Sequence, residues 1–484
     1  MTTESEKFSP KRRQLLVGTA IAGFAAAAGM VWPKKWKPLL DGDIAATTAH
    51  DLFDRGLVPV NMSGWTIPEG VQSDYPSLQN SISVDIVIIG AGLAGTSLAL
   101  HLTELGVRVA VLEARQPGWG ASGRNAGHVL PVLKDMSVLS SFPDEGKQFL
   151  ELFREHHTIP FDLSEKYQID CDAVKSGYLN AMVGDGALED FRNEMSYLEK
   201  SGMQKLETVA GEDMTRLTGS KHWTHGLIYP DGGRVNPYLL SNGMAKTAIK
   251  LGAKIFANSE ALEIHQVQKK WRVNTANGSV TADRAVFCTN AYPTAIVPEF
   301  ANSFYPLTAY ALTTKTLSAD ACATIMPGGQ TLAQVPIDLN PLVKDRHNRL
   351  ILSSIPNISK PEDAVWHFRN QLDWLHNIWP STKDMDIELE TYWTGRVAMR
   401  DVEFPGVYEA QPGVYGLMHF NAWGNVMAPL MGKLFAEGLA SDMMDKLPFP
   451  IGKAEPVSNP GKQDRNIRQW MIPAARQAQS WGIL

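Results

Sequence analysis

A short apolar run, Val84-Asp85-Ile86-Val87-Ile88-Ile89, feeds directly into Gly90-Ala91-Gly92-Leu93-Ala94-Gly95. From Thr96 to Gly106 the apolar residues Leu98, Leu102 and Leu105 have helical spacing, and Val107 to Leu112 reads as a second strand ending at Glu113. Strand, glycine turn, helix, strand and acid in that order are the full context of a dinucleotide fingerprint, which a bare glycine triplet would not be. Gly90 permits the tight turn, Gly92 lets the backbone approach a pyrophosphate, and Gly95 lets the helix pack closely on the sheet. The helix start, through Leu93 and Ala94, offers N–H groups and a partial positive charge to the phosphates.

Glu113 lies 18 residues beyond Gly95, where a carboxylate accepts hydrogen bonds from ribose hydroxyls. An acid there argues against a 2′-phosphate, so the ligand is FAD or NAD rather than NADP. The next stretch, Gly118-Trp119-Gly120-Ala121-Ser122-Gly123-Arg124-Asn125-Ala126-Gly127, is a loop of small residues with one cation. Such a loop can lie flat along a long cofactor, with Arg124 and the Ser122 hydroxyl near its phosphates.

With this loop the chain resembles the D-amino-acid oxidase superfamily of FAD-dependent oxidoreductases. Within it, the gamma-glutamylputrescine oxidase type of amine oxidase is most similar, because that group carries Gly-Ala-Ser-Gly-Arg-Asn-Gly-Gly here. Three further stretches are similar: the approach Tyr75-Pro76-Ser77-Leu78, the strand ending Thr289-Asn290-Ala291-Tyr292, and the region from Trp393-Thr394-Gly395-Arg396 to Phe420-Asn421-Ala422-Trp423-Gly424-Asn425.

The resemblance implies an α/β fold in which a Rossmann-like FAD-binding domain is interleaved with an α+β substrate domain built on an antiparallel sheet. The FAD-binding parts are expected at 83–138, 216–298 and 391–446, and the substrate parts at 139–215 and 299–390. A linker occupies 38–82 and a tail 447–484. Cofactor contacts are expected from Gly90, Gly92, Leu93, Ala94, Gly95, Glu113 and Ala114, and from Ser122, Gly123, Arg124, Asn125 and Gly127. Ala261, Thr289, Asn290, Gly395, Gly424, Asn425 and Val426 complete the set, with the backbone near Ala261 meeting the adenine. No cysteine stands where a covalent flavin link would need it, so FAD is expected to be held noncovalently.

The implied activity is oxidation of the C–N bond of a small-molecule amine or amino acid, with hydride passing to flavin N5 and the imine hydrolysed in water. Trp423, His419, Arg396, Tyr310 and His128 are the candidate catalytic and substrate-contacting residues, each near a matched motif. A strand, Val414 to Met418, that feeds a turn and a helix N-terminus is placed to stabilise negative charge on a reduced flavin. Three positions depart from the family pattern: Ala422-Trp423-Gly424 replaces Gly-His-Gly, His128 stands where relatives tend to have Gln, and Ala126 replaces a glycine. The indole of Trp423 is expected either to cap the ring or to narrow the substrate space. Dioxygen or a quinone is the acceptor, and the alternatives are a quinone-linked, membrane-associated dehydrogenase and a non-catalytic flavin-containing assembly protein.

Composition narrows the classes further. With 44% hydrophobic and 20% charged residues over 484, the chain has enough apolar content for two joined domains, and a net charge of −6 gives no basic signal for nucleic acid. Its three cysteines, Cys171, Cys288 and Cys322, show neither metal spacing nor a disulfide framework. Lys11-Arg12-Arg13 ahead of an uncharged stretch to Trp32 resembles a twin-arginine export signal that can also remain as an anchor, so 1–37 reads as signal or membrane anchor. The body is therefore expected in the periplasm or on the periplasmic side of a bacterial inner membrane.

Overall fold

The computed structural model describes residues 63–480, apart from 70–74, 294, 336, 358–362 and scattered positions between 185 and 204. The twin-arginine stretch and the whole of 1–37 lie outside the described residues. Among the described residues no helix is long and apolar enough to cross a membrane.

The fingerprint folds as its pattern dictates: β1 (Ile86–Ile89), α1 (Leu93–Glu104) and β2 (Val109–Leu112). All four residues of each strand are buried, as in a parallel sheet covered on both faces. Two elements from the middle of the chain are β3 (Tyr178–Met182) and β4 (His225–Tyr229). Beyond them come α2 (Pro237–Lys250), β5 (Lys254–Phe256) and β6 (Arg284–Phe287). Asn236 caps α2, its side chain accepting the Leu239 N–H at 3.0 Å. The sequence then supplies β7 (Tyr305–Thr314), β8 (Thr331–Gln334), β9 (Leu342–Lys344), β10 (Leu350–Ser354), α3 (Ala364–Ile378) and β11 (Leu389–Met399). The last long elements are β12 (Gly406–Gln411), β13 (Val414–Met418) and α4 (Gly424–Ser441).

Two large sheets organise the molecule. The nucleotide sheet runs Ile451–Gly452, β12, β13, β6, β1, β2, β5, and from β13 to β5 its strands are parallel. Helices α1 and α4 lie against each other on it, and a Cβ on Gly432 would stand 3.0 Å from the Ala94 carbonyl oxygen. Leu98 and Leu102 of α1 and Leu430 and Leu434 of α4 are buried, each contributing roughly 1.5–3 kcal/mol through lost contact with water. The second sheet runs β11, β7, β10, β9, β8, β3, β4, Glu207–Ala210, with β8 and β3 its one parallel pair.

Its faces have different partners. Tyr310, Leu312, Leu350, Leu352, Leu179 and Ala181 pack with Trp374, Leu375 and Ile378 of α3. From the other face, Tyr178, Met182, Tyr229 and Ala333 join the core that contains α1 and α4. That second face is the roof over the nucleotide layer.

Two boundaries differ from the sequence-based expectation. His225–Tyr229 pairs with Tyr178–Met182, so the return to the nucleotide layer follows residue 229 and not 216. Leu389–Met399 pairs with Tyr305–Thr314, so the last nucleotide segment follows 399 and not 391. Alternation identifies a strand but not the sheet it joins. The expected linker also contributes structure: Ser81–Ser83 is the edge strand of a four-stranded sheet, and the Trp65 indole is buried, its Nε1 donating to the Asn125 carbonyl at 2.8 Å.

The tail docks on the body. Helical turns run from Gly461 to Ser480, and Pro473 is accommodated because a π-turn, Ile467–Met471, directly precedes it. Ile472 and Ala475 pack on Leu339, and the buried Arg468 donates to the Pro356 carbonyl at 3.3 Å.

Candidate functional site

The fingerprint turn is built around backbone contacts that only glycine permits. Gly90 sits at φ +100°, and a Cβ there would stand 2.9 Å from the Cys288 carbonyl oxygen. At Gly95 a Cβ would lie 2.0 Å from the Gly90 carbonyl oxygen, so helix and turn pack backbone to backbone. Gly92 is the N-cap of α1 and has no side chain to occupy the helix start. The Leu93 N–H donates to Ser122 Oγ at 2.8 Å, which brings the second loop onto the start of the helix.

Glu113 joins the turn at the end of β2. Its carboxylate accepts the Ala91 N–H at 2.8 Å and the Arg115 N–H at 2.9 Å. Burial pushes this carboxyl above the usual range, opposed by backbone donors from Ala91, Arg115 and Ala114. A carboxylate has about four acceptor positions, so these backbone donors still leave room for a ribose hydroxyl. Ala114 is exposed beside it, and Ser259 donates its N–H to the Glu113 carbonyl at 2.8 Å. That bond brings the chain leading to the buried Ala261 alongside the same strand end.

The far end of the site lies where the second loop meets the start of α4. Asn125 and Asn425 exchange side-chain hydrogen bonds at 3.1 and 2.9 Å. Asn125 also accepts the Gly127 N–H at 2.8 Å, and Asn425 donates to the His128 carbonyl at 2.7 Å. Gly123 packs under its own loop, where a Cβ would lie 2.2 Å from the Gly118 carbonyl oxygen, and Gly127 abuts the Trp65 ring. Gly424, by contrast, faces open space at the mouth of α4, next to the buried Val426.

The turn into α4 is strained. His419, Asn421 and Ala422 hold φ of +68°, +48° and +59°, all in the left-handed region that favours glycine. Outside contacts hold it there: the His419 N–H donates to Asn290 Oδ1 at 2.9 Å, and Lys134 Nζ donates to the Asn421 carbonyl at 3.2 Å. Thr289 and Asn290 thus lie where β6 ends, beside both the fingerprint and this turn. Strain concentrated at one turn is a mark of a functional loop.

The five candidate substrate residues do not converge. His128 is enclosed beside the loop with its ring edge-on to Tyr178 at 5.5 Å, and neither ring nitrogen has a hydrogen-bond partner among the described residues. Burial pushes its pKa down to about 4, so the ring is uncharged. Arg396 lies on β11, its N–H donating to the Tyr292 hydroxyl at 3.0 Å and its guanidinium 5.9 Å from that ring.

The other three are placed differently from the expectation. Tyr310 is buried on the α3 face of the sheet, stacked on Tyr392 and bonded to Gln371 at 3.0 Å, away from the roof. Trp423, expected to cap the ring or narrow the substrate space, has its indole buried in the core near Phe404, with its Nε1 donating to the Leu130 carbonyl at 3.1 Å. His419 is a core histidine with Nε2 bonded to Ser303 Oγ at 2.8 Å. Burial, assisted by the Arg400 charge, pushes its pKa down to about 3.

Arg124 also differs from the phosphate contact expected of it. Its Nε donates to the Trp119 carbonyl at 2.7 Å, a second nitrogen donates to the Thr394 carbonyl at 3.2 Å, and its guanidinium lies 4.6 Å from the Trp119 ring centre. Gly395 is beside it, where a Cβ would lie 3.4 Å from Arg124 Cβ. Arg124 therefore ties the loop to the substrate sheet.

Two charged residues with shifted pKa values escaped the sequence reading. Lys134 reaches the strained turn, and burial pushes its pKa below the usual lysine value. Asp338, between β8 and β9, accepts the Gln334 N–H at 3.1 Å, and burial pushes its pKa up to about 7. Neither sits in a recognisable motif. Among the described residues no cluster of three His, Cys, Asp or Glu could hold a metal ion.

The donor set fits FAD: a helix start with Gly92 at its N-cap and Ser122 on its first N–H for the diphosphate, Glu113 for the ribose, and a second helix start clasped to the loop beyond. Comparison with known proteins agrees. The profile of the FAD dependent oxidoreductase family (DAO) matches residues 85–438. Gamma-glutamylputrescine oxidoreductase of Escherichia coli (strain K12) is 28% identical over 393 residues, covering 78% of this chain and 91% of that protein. Among solved structures, L-proline dehydrogenase from P. horikoshii aligns with a TM-score of 0.62 at 21% identity, covering 77% of this chain and 96% of its own. Glycine oxidase from Bacillus cereus aligns at 0.59 and 20% identity, covering 74% and 96%.

Proposed function

The chain belongs to the FAD dependent oxidoreductase family and is an FAD-dependent enzyme, and from that premise we propose that it oxidises the carbon–nitrogen bond of a small amine or amino acid. The observation that carries the reading is the clasp of Asn125 and Asn425, which fixes the α4 helix start against the cofactor loop. The relatives named for amine and amino-acid chemistry support the substrate class. FAD, held at the Gly90–Gly95 turn, by Glu113 and by the loop around Asn125, would supply the hydride acceptor for that oxidation.

The residues of the chain bind, orient and exclude water. A reacting amine must be neutral, and a dry cavity lowers its pKa by disfavouring the ammonium form. His128, enclosed and uncharged beside the cofactor loop, adds no competing positive charge there. Lys134 and the α4 helix start place positive charge at one turn, where charge developing at a reduced ring would be stabilised. Hydrolysis of the imine needs water alone.

The test is anaerobic bleaching of the purified yellow protein by a panel of amines and amino acids. Bleaching by members of the panel supports the reading; a flavin that no amine or amino acid reduces overturns it. Reoxidation then assigns the acceptor: peroxide formation marks dioxygen, and quinone reduction without oxygen uptake marks a dehydrogenase. Arg12 and Arg13 ahead of an uncharged stretch support a periplasmic location. Cell fractionation of wild type and of Arg12→Lys/Arg13→Lys tests it, and export unaffected by the double change would refute the twin-arginine reading.

A further inference from the structure

We infer that Asn180 is a specificity-determining residue of the oxidation and takes a neutral hydrogen-bonding group of the substrate on its carboxamide, so that the preferred amines carry a hydroxyl or an amide away from the reacting nitrogen. This rests on the amine-oxidising reading and refines it.

Asn180 is a polar residue in the interior of the substrate sheet. It lies on β3, between β8 and β4, with Ala333 and Leu227 as its partners in register. Tyr178 and Met182 of the same strand join the core under the roof, whereas Leu179 and Ala181 pack on the α3 side. Alternation therefore puts the Asn180 side chain on the roof face. Its neighbours along and across the strands on that face, Tyr178, Met182, Leu227 and Ala333, are at most 8% exposed, yet Asn180 itself is only half-buried. With its flanks covered, what it exposes points away from the sheet, into a space under the roof. Its amide makes no hydrogen bond among the described residues, and neither polar atom is sealed in the core, so the donor and acceptor ends both open onto that space.

The roof around Asn180 bears on the cofactor loop in two directions. Along β3, the next side chain on the same face is Tyr178, about 6.8 Å away. The Tyr178 ring meets the His128 ring edge-on at 5.5 Å, and the His128 carbonyl accepts from Asn425 at the start of α4. Across the sheet, Leu332 pairs with Leu342 and Leu342 with Leu352, so Asn180, Ala333, Pro341 and Ser353 share one row. Ser353 pairs with Ala311 and Ala311 with Trp393, whose Nε1 donates to the Arg124 carbonyl at 2.9 Å, inside the loop. The small residues between Trp393 and Asn180 leave depth between roof and loop, and Asn180 closes the row.

The chemistry of the group follows from its surroundings. A carboxamide donates and accepts hydrogen bonds and carries no charge. Tyr178, Met182, Leu227 and Ala333 are uncharged as well, so a carboxylate or a second ammonium placed among them would lose hydration without gaining a counter-ion there. A hydroxyl or an amide loses less and is met by both ends of the Asn180 side chain. A plain alkyl chain would cover that side chain and leave it unpaired, which is the basis for discrimination.

The test uses the flavin-loaded protein and two measurements. In the first, amino alcohols, alkylamines and diamines of matched length are compared by anaerobic flavin reduction. Wild type is expected to favour the amino alcohol over the alkylamine by about 10-fold or more in reduction rate over half-saturating concentration. Asn180→Leu, of similar size, is expected to erase that ratio, and Asn180→Asp to shift the preference to the diamine. In the second, amines whose α-carbon bears no hydrogen, and which therefore cannot be oxidised, are titrated with and without a terminal hydroxyl by their perturbation of the flavin spectrum. The hydroxyl is expected to tighten binding about 10-fold in wild type and to have no effect in Asn180→Leu. Wild type preferring the alkylamine or the diamine, or a hydroxyl effect equal in wild type and Asn180→Leu, overturns the assignment. If no amine reduces the flavin, the amine-oxidising reading fails, whereas the titration still decides the role of Asn180.

Discussion

The side chains of Asn125 and Asn425, 300 positions apart, each donate to the other's carbonyl oxygen, at 3.1 and 2.9 Å. Each also bonds backbone, so the pair fixes the cofactor loop against the start of α4. Truncating one partner leaves the other's amide buried and half-satisfied, at a cost of about 1–3 kcal/mol. Asn125→Ala and Asn425→Ala are each expected to lower thermal stability and to release flavin at lower denaturant. In a double-mutant cycle the second change should cost clearly less than the first, because the shared bonds are already gone. Strict additivity in the cycle would show that the two residues act separately.

Gly92 and Gly95 separate cofactor binding from folding. A Cβ on Gly95 would meet the Gly90 carbonyl oxygen at 2.0 Å, backbone against backbone, with no side chain free to yield. A Cβ on Gly92 would meet Ser122 Oγ at 2.6 Å, the far end of a side chain that can rotate. Gly95→Ala should therefore destabilise the protein by about 3 kcal/mol even without flavin. Gly92→Ala should cost far less stability but displace Ser122 and obstruct the diphosphate approach, so flavin affinity falls instead. Circular-dichroism melting of flavin-free protein, set beside flavin fluorescence on dilution, distinguishes the two. Equal effects of both variants on both measurements would contradict the geometry.

Ala422 holds φ of +59° in the turn before α4. Left-handed backbone costs an L-residue with a Cβ roughly 1–2 kcal/mol relative to glycine. Ala422→Gly should accordingly raise stability by up to about 1 kcal/mol, part of the gain being lost to the freer unfolded chain. The expected signature is a small rise in Tm, with the flavin spectrum unchanged because the backbone path is the same. A fall in Tm would mean that the methyl group makes packing contacts worth more than the strain.

Local features were readable from the sequence, and sidedness was not. The parallel strands and the two glycine turns are encoded by neighbours within a few residues, so Ile86–Ile89, Leu93–Glu104 and Val109–Leu112 fall close to where the pattern puts them. Tyr310 was misjudged because alternation shows that Tyr310 and Ala311 face opposite ways, but only the packing of α3 shows which way is the roof. Trp423 was misjudged because its anchor, the Leu130 carbonyl, is 293 positions away. Asp338 and Lys134 are single charges in irregular loops, and nothing local marks them out. Trp65 lies in a stretch whose Pro, Gly and Ser content reads as linker, yet its indole fills the space that Gly127 leaves open.

Buried histidines give stability a pH dependence whose sign follows from their surroundings. Burial without a partner pushes His128 from its usual 6.5 to about 4, and burial with the Arg400 charge pushes His419 to about 3. Both stay neutral in the folded chain while the unfolded chain takes up protons near 6.5, so above that pH they contribute no pH dependence. Below it the unfolded state gains protons that the folded state does not bind, and stability falls as the pH drops towards 4. Each shifted pKa unit corresponds to about 1.4 kcal/mol, so His128 alone accounts for up to about 3 kcal/mol of that loss. His128→Gln, which has no proton to gain in this range, should flatten the fall in Tm between neutral pH and about pH 4.5 while leaving the His419 contribution in place. Melting curves of flavin-free wild type and His128→Gln across that range provide the check. An unchanged slope would mean that the His128 ring is open to water.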